Sequence, residues 1–185
     1  NAGADKVGII TAAVVKLYPK PKYQQIAMIA LPSVEAAIDF LGLARTMSGD
    51  QVTAIELIPR IAIDLVVKNV PNFSDPMPEK YDWQILVELS SSATEDLKSL
   101  METILEEGMA QDIVLDAIIP GSEAQQNKLW ALREEISGAQ KPEGGSIKHD
   151  ICVPIGKIPE FIETADAALQ KIIPGFRPVT FGHIG

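Results

Sequence analysis

Residues 26–49 read IAMIALPSVEAAIDFLGLARTMSG and carry the clearest structural signal in the chain. The first six residues are apolar and suit a short strand. Ser33 can then cap a helix whose apolar residues recur at helical spacing to about Met47, and Gly49 is a typical residue at a helix end. The stretch therefore predicts a strand followed directly by a helix, the combination found in layered αβ domains.

Strand and helix patterns continue to alternate towards the C-terminus. Further strands are predicted over residues 52–58, 83–89, 113–119, 147–153 and 179–185, and further helices over 61–70, 94–107, 122–140 and 158–173. A proline-rich loop, residues 72–81, separates two similar halves. This order predicts an α+β fold with a duplicated ferredoxin-like sheet, antiparallel or mixed, and helices on one face. A doubly wound parallel sheet is the alternative.

The segment before the first strand predicts a domain boundary. The initial NA is typical of a cloning scar, and residues 8–18 form a β-rich apolar run. The sequence PKPK at residues 19–22 then interrupts regular structure, because proline has no backbone N–H to donate. We therefore expect one domain over residues 23–185 and a piece of another over residues 1–22.

Composition limits the possible functions. The chain has 185 residues, of which 46% are hydrophobic and 22% charged, as in ordinary folded proteins. Its net charge of −9 and its lack of a basic cluster argue against a nucleic-acid partner. The longest uncharged apolar stretch, residues 7–15, is shorter than the ~20 residues that span a bilayer. Cys152 is the single cysteine, which excludes an internal disulfide and predicts a cytoplasmic location.

Three polar side chains could meet at one ligand. Arg133 and Ser137 are four residues apart on a predicted helix and so share one face, and Lys148 lies on the next predicted strand. A guanidinium, a hydroxyl and an ammonium group together suit a carboxylate ligand. The alternative is that Arg133 pairs with Glu134 or Glu135 and that Lys148 is a solvated surface lysine.

The two histidines and the cysteine are weaker candidates. His183 could bind a metal or transfer protons, but its alternation with apolar neighbours also suits a partly buried structural histidine. His149 falls on the apolar side of its predicted strand and is interpreted as structural. Nothing near Cys152 indicates an activated thiolate, so we interpret it as inert.

Five short runs together resemble a known family. They are GIIT at residues 8–11, LYPKP at 17–21, LWALREEIS at 129–137, GGSIKHDICVP at 144–154 and FGHIG at 181–185. The last three resemble the C-terminal domain of FAD-linked oxidases, and the first two are similar to the strand that closes the flavin domain of the same family. That family includes D-lactate dehydrogenases, the glycolate oxidase flavin subunit and D-2-hydroxyglutarate dehydrogenase.

The resemblance implies a role for each candidate residue. Arg133, Ser137 and Lys148 would bind the substrate carboxylate, and His183 would be one ligand of a divalent metal, zinc or manganese. Gly8 and Ile9 would lie near the flavin, at the terminal strand of an FAD-binding domain. The family motif usually continues beyond His183 with further ligands and a catalytic histidine. The resemblance therefore predicts a substrate-binding domain that is truncated at its C-terminus and contains no catalytic residue.

The implied activity belongs to the full-length protein. There, an FAD-dependent dehydrogenase would transfer a hydride from C2 of a D-2-hydroxy acid to the flavin, while this chain alone would be inactive. The expected partners are a small 2-hydroxy acid, the FAD-binding domain of the same protein and a second copy in a homodimer. The alternative function is a non-catalytic αβ module for binding or dimerisation.

Overall fold

The computed structural model describes residues 9, 11–17, 19–93 and 96–185. Within these ranges, five strands form one sheet and five α-helices pack against it. The strands are β1 (Tyr23–Leu31), β2 (Val52–Pro59), β3 (Trp83–Ser91), β4 (Asp116–Ile118) and β5 (Gly182–His183). The helices are α1 (Val34–Ser48), α2 (Arg60–Asn69), α3 (Leu97–Ala110), α4 (Glu123–Ala139) and α5 (Ile158–Ile172).

The sheet has the strand order β4-β1-β3-β2-β5, and every neighbouring pair is antiparallel. Because β3 lies between β1 and β2, the unit β1-α1-β2 is a split βαβ unit, as in ferredoxin-like sheets. The predicted α+β class and antiparallel sheet are confirmed. A second split unit, β3-α3-β4, encloses β1 in the same way, and the two interleaved units form one ferredoxin-like sheet of four strands. The predicted duplication of that sheet is not confirmed.

The first βα unit forms as its sequence predicts. The Ser33 hydroxyl accepts a hydrogen bond from the Ala36 N–H, which satisfies one of the free donors at the start of α1. At the other end Gly49 adopts a left-handed conformation with φ 63°, and its N–H donates to the Arg45 carbonyl. Capping at both ends therefore fixes α1 to the residues that the sequence indicates.

Helices cover both faces of the sheet, so the prediction of helices on one face is wrong. Alternate side chains of β1 enter two separate cores. Ile29 and the other β1 side chains on its face pack under α1 and α3. Met28 and the other β1 side chains on the opposite face pack under α2 and α4. The run of six apolar residues in β1 indicates a strand that is buried on both faces.

Residues 147–153 are not a strand, contrary to the prediction. No strand in the described ranges pairs with them, and Ile147 and Ile151 are 77% and 57% exposed. Alternating side chains favour a strand only where a neighbour supplies its backbone hydrogen bonds. His149 is exposed, so its interpretation as a structural residue on an apolar face is also wrong.

Candidate functional site

A buried carboxylate lies at the centre of the site. Glu56 on β2 is 2% exposed and faces α4, from which Arg133 reaches it. Arg133 Nε and Nη2 both approach Glu56 Oε2, at 2.9 and 2.8 Å. Since an unpaired buried carboxylate is strongly disfavoured, this ion pair is what allows Glu56 to be buried and charged.

His183 reaches the same carboxylate from the neighbouring strand. The register of β5 places His183 directly opposite Glu56, and its Nδ1 contacts Glu56 Oε1. The next residue holds the strand in place, because Ile184 is 2% exposed and its N–H donates to the Ile55 carbonyl at 3.0 Å. The His183 side chain is 80% exposed, so the interpretation as a partly buried histidine is wrong.

Arg133 is fixed on a second side by an aromatic ring. Its Cζ lies 4.6 Å from the centroid of the Phe181 ring, a cation–π contact. Glu56 fixes one edge of the guanidinium group and Phe181 covers one of its faces. The described residues give Arg133 Nη1 no acceptor, so this nitrogen can still donate to a ligand.

Lys148 lies beside the C-terminal end of α4. Its Nζ donates to the Ser137 carbonyl and to Gln140 Oε1, each at 3.3 Å. A cation is favourable at this end of a helix, where carbonyl groups have no partner within the helix. The Ser137 side chain is exposed one turn from Arg133. Of the three predicted carboxylate-binding residues, Arg133 and Ser137 therefore lie on α4 and Lys148 lies beside its C-terminal end.

The sequence interpretation missed Glu56. The alternative that Arg133 pairs with Glu134 or Glu135 is wrong, because its partner lies 77 residues away on β2. A signal was available, since Glu56 interrupts the apolar run AIELI at residues 54–58. An ionisable residue inside such a run indicates a buried partner or a functional site.

The described residues do not form a complete metal site, and Ile9, the described one of the two residues predicted to lie near a flavin, makes no contact that indicates one. They include no group of three or more His, Cys, Asp or Glu side chains that could hold a metal ion. His183 offers one nitrogen, and Glu56 Oε2 is already occupied by Arg133. At the other end of the chain Ile9 is 92% exposed, and Gly8 lies outside the described residues.

A second polar cluster joins three segments near the end of α4. Glu143 accepts hydrogen bonds from Lys68 at 2.7 Å, Asn69 at 2.9 Å and Arg177 at 3.0 Å. Chiefly through the hydrogen bond from Lys68, these donors lower the pKa of Glu143 to about 2. This cluster holds the turn after α4 against the end of α2.

The fold and the site together define a class of protein. A ferredoxin-like α+β domain with a paired arginine, a nearby lysine and an exposed histidine is suited to binding a small anion. The family of FAD linked oxidases, C-terminal domain, matches residues 20–185, and the chain belongs to that family. The resemblance seen in the sequence is thereby confirmed.

Curated relatives are named as D-2-hydroxyglutarate dehydrogenases. The mitochondrial protein of Danio rerio is 27% identical over 97% of this chain and 33% of its own length. The proteins of Xanthomonas citri pv. viticola and Stutzerimonas stutzeri are each 28% identical over 97% of this chain, and over 37% and 38% of their own lengths. The chain spans about a third of the length of these relatives. None of the described helices is long and apolar enough to cross a membrane.

Proposed function

We propose that this chain is the substrate-binding part of an FAD-dependent dehydrogenase that oxidises a D-2-hydroxy acid. One observation carries the proposal: Arg133 is held by Glu56 and Phe181 with one nitrogen left to donate. Membership of the FAD-linked oxidase family and the names of the relatives support the same assignment.

Lys148 brings a second cation to the helix that carries Arg133. Glu56 pairs with Arg133, whereas Lys148 contacts the Ser137 carbonyl and Gln140 Oε1, neither of which is charged. A substrate carboxylate would receive a charge-assisted hydrogen bond from Arg133 Nη1 and electrostatic attraction from Lys148. Ser137 would add a hydroxyl donor from the same helix.

The proposed contribution of this chain is orientation. The full-length protein would hold FAD outside the described residues, and FAD would supply the acceptor for a hydride from C2 of the substrate. Arg133, Ser137 and Lys148 would hold the carboxylate so that the C2–H bond keeps one direction, which lowers the entropic part of the barrier. No catalytic base is assigned to the described residues.

We also propose roles for His183 and for Gly8 and Ile9. His183 would supply one metal ligand in the full-length protein, because its second ring nitrogen has no partner among the described residues. Gly8 and Ile9 would lie close to the flavin. A cytoplasmic location and a homodimer also remain predictions, and the names of eukaryotic relatives place those proteins in mitochondria.

Ligand titration of the purified chain tests the site. Amide NMR shifts are followed while D-2-hydroxyglutarate or D-lactate is added, and 1,2-propanediol serves as a ligand without a carboxylate. We expect the acids to shift signals of Arg133, Ser137 and Lys148, and the diol to leave them unchanged.

A matched pair of variants makes this test specific. Arg133→Met should weaken binding of the acid at least about tenfold, because a charge-assisted hydrogen bond is lost. Arg45→Met should leave it unchanged, since Arg45 pairs with Asp50 on the exposed surface of the opposite helical layer. Binding that is insensitive to Arg133→Met would contradict the proposed site.

A further inference from the structure

Glu56 is placed to control both of its basic partners. Each of its oxygens has a different neighbour, Arg133 at Oε2 and His183 at Oε1, and its carboxylate is almost completely shielded from water. Burying a charged group is unfavourable, and an apolar residue on β2 would avoid that cost. Stability alone therefore gives little reason for an acid at this position.

We propose that Glu56 is a positioning residue that holds the proton of neutral His183 on Nδ1 and turns Nε2 outward as the free acceptor. A carboxylate can only accept hydrogen bonds, so the imidazole nitrogen facing Glu56 must carry the hydrogen. Neutral imidazole has a single N–H, which leaves the lone pair on Nε2. In many proteins a carboxylate orients a reactive or metal-binding histidine in this way, by accepting a hydrogen bond from its other ring nitrogen.

The same carboxylate sets the direction of the guanidinium group. Because Oε2 occupies Nε and one hydrogen of Nη2, and Phe181 covers one face, Arg133 is left with the Nη1 edge for a ligand. Through its two oxygens Glu56 thus orients the donors of Arg133 and the acceptor of His183. Their use on a 2-hydroxy acid rests on the proposed function, whereas the tautomer of His183 does not.

A neighbouring acid provides a matched control. The register places Glu88 on the same sheet face as Glu56 and diagonal to it, because Leu86 is opposite Glu56 and Glu88 is opposite Ala54. Glu88 Oε1 accepts from Thr53 at 2.8 Å and from Ser90 at 3.1 Å. Glu88 is therefore a hydrogen-bonded glutamate on the same face that contacts neither basic residue of the site among the described residues.

The experiment measures the His183 tautomer in the purified chain by ¹⁵N NMR of the imidazole nitrogens, under alkaline conditions in which imidazole is neutral. The chain contains only two histidines, so His149, which is exposed, serves as the internal reference. In the unmodified chain we expect the Nδ1–H form of His183 to predominate by at least about tenfold, from the strength of a hydrogen bond to a charged acceptor.

Glu56→Gln should reverse this preference. Arg133 has only donors, so the amide oxygen of the new side chain faces Arg133 and its NH₂ group faces His183. His183 Nδ1 must then accept, which moves the proton to Nε2. Glu88→Gln should leave the tautomer of His183 unchanged.

Either of two results would overturn the proposal. One is an Nε2–H tautomer of His183 in the unmodified chain, which needs no variant and so does not depend on how Glu56→Gln folds. The other is an unchanged tautomer in a folded Glu56→Gln chain. Failure of 2-hydroxy acids to bind would count against the proposed function alone, because the tautomer is measured without ligand.

Discussion

At the scale of single residues, the site depends on which side chains donate hydrogen bonds to each glutamate. Glu56 and Glu143 are both surrounded by basic side chains, yet Glu56 is 2% exposed and Glu143 is 14% exposed. Arg133 and Ser137 could be paired from their spacing on α4, because helical periodicity is a local property. The pairing of Arg133 with Glu56 could not be predicted in this way, because the two residues are 77 positions apart and meet only in the tertiary fold.

The stability of the chain should decrease in acid through Glu143. Its pKa in the folded chain is about 2, below its ordinary value of 4.5, so the unfolded chain binds the proton more readily. The stabilisation is complete above pH 4.5 and is lost as the pH falls from 4.5 towards about 2. Urea unfolding at several pH values measures this loss. Glu143→Gln should flatten the decrease, whereas Glu102→Gln, on the exposed surface of α3, should not; equal slopes in all three chains would contradict the assignment.

At the scale of elements, the buried strands and the capped helices were predictable, and the partners of the edge strands were not. The helix α1 follows from Ser33, Gly49 and its apolar spacing, which are all local signals. The continuous apolar run of β1 also indicates two covered faces, contrary to the prediction of helices on one face. In contrast, β5 has two residues and is defined by its pairing with Glu56 and Leu57, far away in sequence.

The packing of α3 against the segment that follows it provides a test at this scale. A Cβ atom added to Gly108 would lie 2.7 Å from Cγ2 of Val114, which is 4% exposed. Val114 is β-branched and has little freedom to move away, so Gly108→Ala should destabilise the chain by about 1–3 kcal/mol. Gly42 on α1 has no atom within 4 Å of such a Cβ, and Gly42→Ala should be neutral or stabilising by up to about 1 kcal/mol. Thermal and urea unfolding compare the two variants; equal effects would contradict this account.

At the scale of the whole molecule, the sheet separates two cores, and the candidate site belongs to one of them. Arg133 and Glu56 lie on the face covered by α2 and α4, and α4 contributes apolar side chains to that core as well as the basic residue of the site. The position of the site therefore depends on the packing of α4 against the sheet.

The isolated chain should contain neither flavin nor stoichiometric metal. The described residues include no group of three or more side chains that could hold a metal ion, and a protein-held metal ion normally needs three or four ligands. Only residues 1–22 are expected to belong to an FAD-binding domain. We expect a colourless preparation that does not oxidise 2-hydroxy acids. Absorbance spectra and elemental analysis measure both quantities, and one equivalent of flavin or metal would contradict this expectation.

The central claim is that Arg133 binds the substrate carboxylate, and steady-state kinetics of the full-length protein test it most directly. Arg133→Met should lower kcat/KM for a D-2-hydroxy acid by an amount equivalent to about 2–4 kcal/mol, because a charge-assisted hydrogen bond to the substrate is lost. Lys148→Met should have a similar effect and Ser137→Ala a smaller one, while Arg45→Met should have none. An unchanged kcat/KM in the Arg133→Met enzyme would contradict the claim.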